Sequence, residues 1–97
     1  MIYKLADGVK LIETEQGAYL QEVMTNEKYV VGGAGINFIK LIDGVRDMDE
    51  ILEELVKIFG PNVEPYIIAK DLEQFMYQLA SNGLVEIVKM DYPQMKA

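Results

Sequence analysis

The sequence contains neither cysteine nor histidine, and its only serine and threonine hydroxyls are those of Ser81, Thr14 and Thr25. These absences exclude disulfides, thiolate nucleophiles, the common zinc sites and histidine acid–base catalysis. An enzyme would have to use carboxylates, lysine or tyrosine, and such enzymes need a larger cleft than a core of this size usually forms. We therefore expect no catalytic residues, no metal site and no cofactor.

Basic residues are also scarce, with 9 Lys and Arg against 16 Asp and Glu and a net charge of −7. Such a chain repels phosphate backbones, so we expect no nucleic-acid partner. Residues 1–7 lack the apolar segment of a signal peptide, and no apolar run approaches the length of a membrane span. These features predict a cytoplasmic binding or adaptor protein with no membrane partner.

The 97 residues, 51% of them apolar, suit one hydrophobic core. No internal repeat, low-complexity segment or interdomain linker divides the chain. We expect a single domain over residues 1–90 and a frayed tail over residues 91–97.

The first third of the chain has the pattern of short strands. Residues 9–14, 18–24 and 28–31 are rich in β-forming residues and are separated by short polar breaks, the first ending at Gly17. Such short connections predict an antiparallel meander. Residues 2–5 form a possible additional strand.

Residues 34–42 are apolar around most of a helical circumference, which predicts a short helix in the middle of the core. Asp43-Gly44 is expected to end it, with glycine as a left-handed cap. The preceding glycine-rich segment 31–35 has two readings, a phosphate-binding loop or a turn that lets the helix pack closely on the sheet. Phe38 stands where the dinucleotide motif needs its third glycine, which favours close packing.

A second helix is predicted to begin after Asp47, with Glu50 as its capping-box partner. Its apolar stripe consists of Met48, Ile51, Leu52, Leu55, Ile58 and Phe59. The acidic residues near its start, Asp47, Asp49, Glu50, Glu53 and Glu54, have no calcium-loop spacing, so a solvated acidic face is the favoured reading over a metal site.

The third helix is predicted from about residue 66 to residue 80 or 81, with Pro65 in its first turn and Asn82-Gly83 at its end. Residues 84–88 could close the fold as a final strand. The order of elements predicts an α+β domain of the winged helix-turn-helix kind, a three-stranded antiparallel sheet followed by three helices.

A winged helix often binds DNA, but the two helices that could enter a groove are acidic or neutral. The open edge of the sheet offers another function, because an unpaired strand can capture a peptide as an added strand. A peptide docked there would pass the last helix, whose outer stripe supplies one side of a cleft. The candidate binding residues are Lys28, Tyr29, Val30, Val31, Ile67, Asp71, Gln74, Phe75 and Gln78.

Several short motifs follow one another from Tyr29 to Glu86. They are the strand Tyr29-Val30-Val31, the helix end Leu41-Ile42-Asp43-Gly44, the segment Val45-Arg46-Asp47-Met48-Asp49-Glu50-Ile51, Leu55, the helix core Asp71-Leu72-x-x-Phe75, and Leu79 followed by Asn82-Gly83-Leu84-Val85-Glu86. In this order and spacing the chain resembles the PqqD-like family, the coenzyme PQQ synthesis protein D and the related RiPP recognition elements. The likeness covers about three fifths of the 97 residues, or nearly all of them with the N-terminal hairpin.

The resemblance implies a protein without catalysis of its own that acts as a peptide chaperone. It would bind the leader segment of a ribosomally made precursor peptide and present it to a modifying enzyme, often a radical SAM protein. The leader would add as a strand to Tyr29, Val30 and Val31 and lie in a cleft against the last helix around Asp71 and Phe75. The pathway remains open among cofactor maturation, a lasso peptide and a thioether peptide.

One departure concerns the end of the third strand, where many relatives have a Leu-Asn step and this chain has Val31-Gly32-Gly33. We expect the glycines to make this strand end more mobile. The acidic surface suggests a leader with basic residues. The alternatives are a winged-helix regulator that binds DNA or protein, and a subunit that dimerises through its open edge.

Overall fold

The structure is a computed structural model that describes residues 1–89. Residue 90 of the predicted domain and the predicted tail, residues 91–97, lie outside the described residues. Six strands and three helices occur in the described part of the chain: β1 (Ile2–Leu5), β2 (Val9–Thr14), β3 (Gly17–Glu22), β4 (Lys28–Val31), α1 (Gly33–Leu41), β5 (Asp43–Asp47), α2 (Met48–Phe59), α3 (Pro65–Ser81) and β6 (Val85–Lys89).

The strands form two three-stranded antiparallel sheets. The first has the order β2–β3–β4, as the meander prediction requires, with Val9 opposite Glu22 and Ala18 opposite Val31. The second has the order β5–β1–β6, with β1 in its centre. The predicted fold class is confirmed, and the strands suggested at residues 2–5 and 84–88 join in this second sheet.

Strand β3 is shorter than predicted. It ends at Glu22 rather than at Met24, and Val23 and Met24 are 56% and 87% exposed. The Asn26 N–H donates to the Glu22 carbonyl at 2.7 Å, and Asn26 has a positive φ of 61°. The chain therefore begins its turn at Glu22, and the apolar residues that follow are in the turn.

Strand β5 was not predicted. Helix α1 ends at Leu41, and the predicted glycine cap, Gly44, lies inside β5 with a φ of +79°. The Asp43 carboxylate instead accepts hydrogen bonds from the Val45 and Arg46 N–H groups, each at 2.9 Å. Asp43-Gly44 therefore shapes the start of β5, where Gly44 passes close to Lys4 of β1.

Helix α2 begins as predicted. The Asp47 carboxylate accepts from the Glu50 N–H at 2.9 Å, and the Asp47 N–H donates to the Glu50 carboxylate at 3.2 Å. This capping box satisfies two backbone N–H donors at the helix start, those of Asp47 and Glu50. The predicted apolar stripe is correct for the fully buried Ile51 and Leu55 and wrong for Ile58, which is 51% exposed.

One hydrophobic core joins the meander to the three helices. Its buried members are Val9, Ala18, Leu20, Val31, Phe38, Ile39, Ile42, Ile51, Leu55, Ile68, Leu72, Met76, Leu79 and Leu84. Helix α1 was predicted to lie in the middle of the core, but it packs on the core with one side only. Phe38 and Ile39 are buried there, whereas Gly33, Ala34 and Lys40 are exposed. Among the described residues, no helix is both long and apolar enough to cross a membrane.

Candidate functional site

The site is built on strand β4, which lies at the edge of the first sheet. Its register with β3 runs from Gln21 opposite Lys28 to Ala18 opposite Val31. Within residues 1–89, no strand pairs with the other side of β4. The backbone on that side is therefore free to accept an added strand.

The hydrogen-bonding pattern shows which β4 groups face the open edge. The Glu22 N–H donates to the Glu27 carbonyl at 2.9 Å, so these two opposed residues form a hydrogen-bonded pair. Opposed pairs in an antiparallel ladder alternate between hydrogen-bonded and non-hydrogen-bonded types. Tyr29 and Val31 are therefore bonded to β3, whereas the N–H and carbonyl groups of Lys28 and Val30 point outward.

The side chains of β4 alternate between the two faces of the sheet. Val31 is buried and Tyr29 half-buried on the core side, whereas Val30 is 91% exposed on the other side. Lys28 shares that outer face, where its Nζ lies 5.1 Å from the centre of the Tyr19 ring. Within residues 1–89, β4 therefore offers unpaired backbone at its outer edge and the side chains of Tyr29 and Val31 toward the core.

Two adjoining pockets lie between β4 and α3, and together they are here named the β4–α3 cleft. The first, of about 150 Å³, is lined by Leu20, Tyr29, Val30, Val31, Phe75, Gln78, Leu79, Asn82 and Leu84. The second, of about 240 Å³, is lined by Ala34, Phe38, Asp71, Gln74, Phe75 and Gln78. Phe75 and Gln78 belong to both pockets, so the cleft follows α3 past the end of β4.

Phe75 is fixed in the cleft by close packing on α1. Its ring meets Phe38 edge to face, with centroids 5.3 Å apart and an interplanar angle of 76°. Gly35 makes this arrangement possible, because a Cβ there would lie 3.1 Å from the Phe75 ring and 3.0 Å from Val31 Cγ1. At Gly35, the glycine-rich segment thus lets α1 pack closely against Val31 of β4 and Phe75 of α3.

Charged groups are sparse along the cleft. Among the residues that the structure describes, Asp71 is the one charged residue in the cleft lining. At the start of β4, the Tyr29 hydroxyl donates to the Glu27 carboxylate at 2.6 Å. This hydrogen bond, with desolvation and the negative charges of Glu27 and Glu22, raises the pKa of Tyr29 above its ordinary value. Tyr29 therefore stays neutral at physiological pH.

The acidic residues of α2 have local structural partners or face solvent. Asp47 and Glu50 cap the helix, and Glu54 accepts from Lys57 Nζ at 3.2 Å. Asp49 and Glu53 are exposed. Within residues 1–89, no group of three or more Asp and Glu residues is placed to hold a metal ion.

Seven of the nine residues singled out from the sequence line the β4–α3 cleft: Tyr29, Val30, Val31, Asp71, Gln74, Phe75 and Gln78. Lys28 and Ile67 line neither pocket. The structure adds Phe38, Leu79 and Asn82, of which the last two continue the helical spacing from Phe75 and could have been found from it. It also adds Leu20 of β3, Ala34 of α1 and Leu84, which follows α3, and the helical spacing from Phe75 does not predict these three.

A larger pocket, of about 510 Å³, lies on the other side of α3. It is lined by residues of β1, α2 and α3 together with Met1, among them Tyr3, Met48, Leu52, Met76 and Tyr77. It contains no strand edge from the first sheet. This larger pocket is therefore not part of the β4–α3 cleft.

Solved structures with the same fold include two from peptide biosynthesis. One, described as TbiB1 in complex with the TbiA(beta) leader peptide, has a TM-score of 0.73 and 20% identity and covers 86% of this chain and 94% of that chain. The other, a lasso peptide synthetase B1 complexed with the leader peptide, has a TM-score of 0.76 and 14% identity and covers 90% of this chain and 100% of that chain. At these identities the likeness establishes the fold, a winged-helix α+β arrangement.

A relative with a described role is the PqqA binding protein of Rhizobium meliloti (strain 1021). It is 27% identical to this chain over 88 residues, which cover 91% of this chain and 88% of the relative. The family of coenzyme PQQ synthesis protein D (PqqD) matches residues 13–85, a span that contains β3, β4 and all three helices. The chain belongs to the PqqD family.

Proposed function

We propose that this protein binds the leader segment of a ribosomally synthesised precursor peptide and presents it to a peptide-modifying enzyme. The leader adds as a strand to the open edge of β4 and lies in the β4–α3 cleft. The observation that carries the proposal is the outward backbone of Lys28 and Val30 beside a cleft floored by Phe75. Such an edge supplies main-chain hydrogen bonds, and the pockets beside it supply selectivity.

The relatives support the same function. The Rhizobium relative is described as a binding protein for PqqA, and both structural neighbours are complexes with leader peptides. In this proposal the chain has no catalytic step of its own, and its partners are the precursor peptide and the enzyme that modifies it. A radical SAM enzyme is the partner class that the family resemblance implies.

The winged-helix regulator is less well supported as an alternative. Basic residues are few on α2 and α3, with Lys57 held by Glu54 and Lys70 beside Asp71. A DNA-binding helix needs cations that face phosphates and donors that face base edges. The charge distribution of α2 and α3 does not provide that surface.

Calorimetric titration with a synthetic leader of the short peptide encoded nearest the gene tests the proposal. We expect a dissociation constant of about 1 μM or lower, equivalent to about −8 kcal/mol. A salmon-sperm DNA fragment at the same concentration serves as the control and should give no heat. Absence of leader binding both to the protein alone and to its mixture with the modifying enzyme would contradict the proposal.

A further inference from the structure

Asp71 stands at one end of the β4–α3 cleft without a cation of its own. Within residues 1–89, no Lys or Arg nitrogen lies within 4.0 Å of its carboxylate. Lys28 is directed to the Tyr19 ring on the outer face of the sheet, and Lys40 pairs with Glu13 at 3.0 Å. Lys70 lines neither pocket of the cleft; it lies in a neighbouring pocket that shares Gln74 and Gln78 with the cleft. The fixed charge inside the cleft is therefore negative.

The ladder of β4 determines which side chains of an added strand enter the cleft. Residues of that strand opposite Lys28 and Val30 share their hydrogen bonds and direct their side chains to the outer face. Residues opposite Tyr29 and Val31 direct theirs toward α3. Alternate residues of the bound peptide therefore enter the cleft.

The spacing of these inward side chains matches the turns of α3. Two residues along a strand advance by about 6.8 Å. Four residues along a helix, the separation of Asp71 from Phe75 and of Phe75 from Leu79, advance by about 6 Å. Successive peptide side chains that enter the cleft therefore lie against successive turns of α3. One strand direction brings them to Leu79 and Phe75 before Asp71, and the opposite direction reverses this order.

We infer that the leader recognised by this chain carries an apolar side chain and, two or four residues away, a lysine or arginine. The apolar side chain packs on Phe75 and Leu79, and the basic one pairs with Asp71. Asp71 is thus a specificity-determining residue that selects basic leaders. The inference rests on the proposed function, since it assigns the chemistry of the peptide bound in the same cleft.

Selection from a random peptide library tests this assignment without knowledge of the natural leader. A library of displayed twelve-residue random peptides is enriched separately on the full-length protein and on the Asp71→Lys and Glu53→Lys variants. Glu53 is exposed on α2 and lines neither pocket of the cleft, so its variant changes the net charge equally. Circular dichroism verifies that all three proteins are folded.

The wild-type protein and Glu53→Lys should both enrich peptides with Lys or Arg at an even spacing from an apolar residue. Asp71→Lys should instead enrich Asp or Glu at that position. If the wild type enriches peptides without this basic preference, or if Asp71→Lys enriches the same peptides, the inference is overturned while the proposed function stands. If the wild type enriches no peptide, both fail together.

The affinity of one enriched basic peptide provides a second readout. Asp71→Asn removes the charge and keeps the side-chain shape, and we expect it to raise the dissociation constant up to about fivefold at low salt, the range of an exposed ion pair. The difference between wild type and Asp71→Asn should shrink at 1 M salt because the pair is screened. Glu53→Gln should bind within about 1.5-fold of wild type. Equal effects of the two neutralising variants would contradict a local role of Asp71.

Discussion

Val30 provides the sharpest test of strand addition, because its backbone N–H and its side chain can be changed by different substitutions. Its N–H points to the open edge and is not needed by β3, while its side chain is 91% exposed. Val30→Pro removes that N–H and places a ring at the edge, and the preceding residue keeps the extended conformation that proline favours. The substitution should therefore leave the β3–β4 ladder in place and block the incoming strand.

The magnitude follows from the lost backbone contact. A peptide hydrogen bond contributes about 0.5–1.5 kcal/mol, and a leader carbonyl left buried without a donor costs about 1–3 kcal/mol. Since the edge is partly hydrated, we expect a total loss of about 2 kcal/mol, which raises the dissociation constant about 30-fold. Fluorescence anisotropy with a labelled leader peptide measures this change.

Two further variants make the result interpretable. Val30→Ala keeps the N–H and loses an exposed side chain, so its affinity should stay within about threefold of wild type. Lys28→Pro removes the other outward N–H at the first residue of β4, where proline is tolerated, and should weaken binding as Val30→Pro does. Wild-type affinity of a folded Val30→Pro protein would refute strand addition at β4.

Three other substitutions, with Gly32→Ala as a control for the first, test the local structure. Gly35→Ala should lower the unfolding free energy in urea by about 1–3 kcal/mol because Val31 and Phe75 must move, and it should also weaken leader binding. Gly32→Ala should change the unfolding free energy much less, since its Cβ would lie in open space. Asp47→Ala removes the α2 cap, so we expect a loss of about 1 kcal/mol and a thermal midpoint lower by about 4–8 °C, and an unchanged midpoint would contradict that role. Hydrogen bonds from the Arg46 and Val45 N–H groups lower the pKa of Asp43 below its ordinary 3.8, so its ionised form adds stability above that pH and loses it as the pH falls. Asp43→Asn should therefore be less stable than wild type at pH 7, with a difference that shrinks in urea titrations toward pH 3, and a constant difference would contradict this linkage.

The predictable parts of the fold were those with local signals. Asp47 and Glu50 identified the start of α2, and Pro65 identified the start of α3, because capping depends on residues a few positions apart. Strand β5 carries the sequence Asp-Gly-Val-Arg-Asp, which has no alternation of apolar and polar residues. It forms through pairing with β1, some forty residues earlier in the chain, so no local pattern could reveal it.

The same distinction applies to the candidate site. The period of two along β4 already places Lys28 with Val30 on one face and Tyr29 with Val31 on the other. The helical period likewise places Phe75 beside Leu79. The contributions of Leu20 and Leu84 depend on how the sheet and the chain after α3 close over the core, which is a property of the tertiary fold.

Amide hydrogen exchange of β4, with and without saturating leader peptide, tests the central claim most directly. The ladder predicts an alternating response: the Lys28 and Val30 amides should become protected on binding, whereas those of Tyr29 and Val31, already bonded to β3, should change little. Nuclear magnetic resonance resolves these four amides individually. Protection of Lys28 and Val30 alone would support a leader strand on the open edge, and unchanged exchange of both in the saturated complex would contradict it.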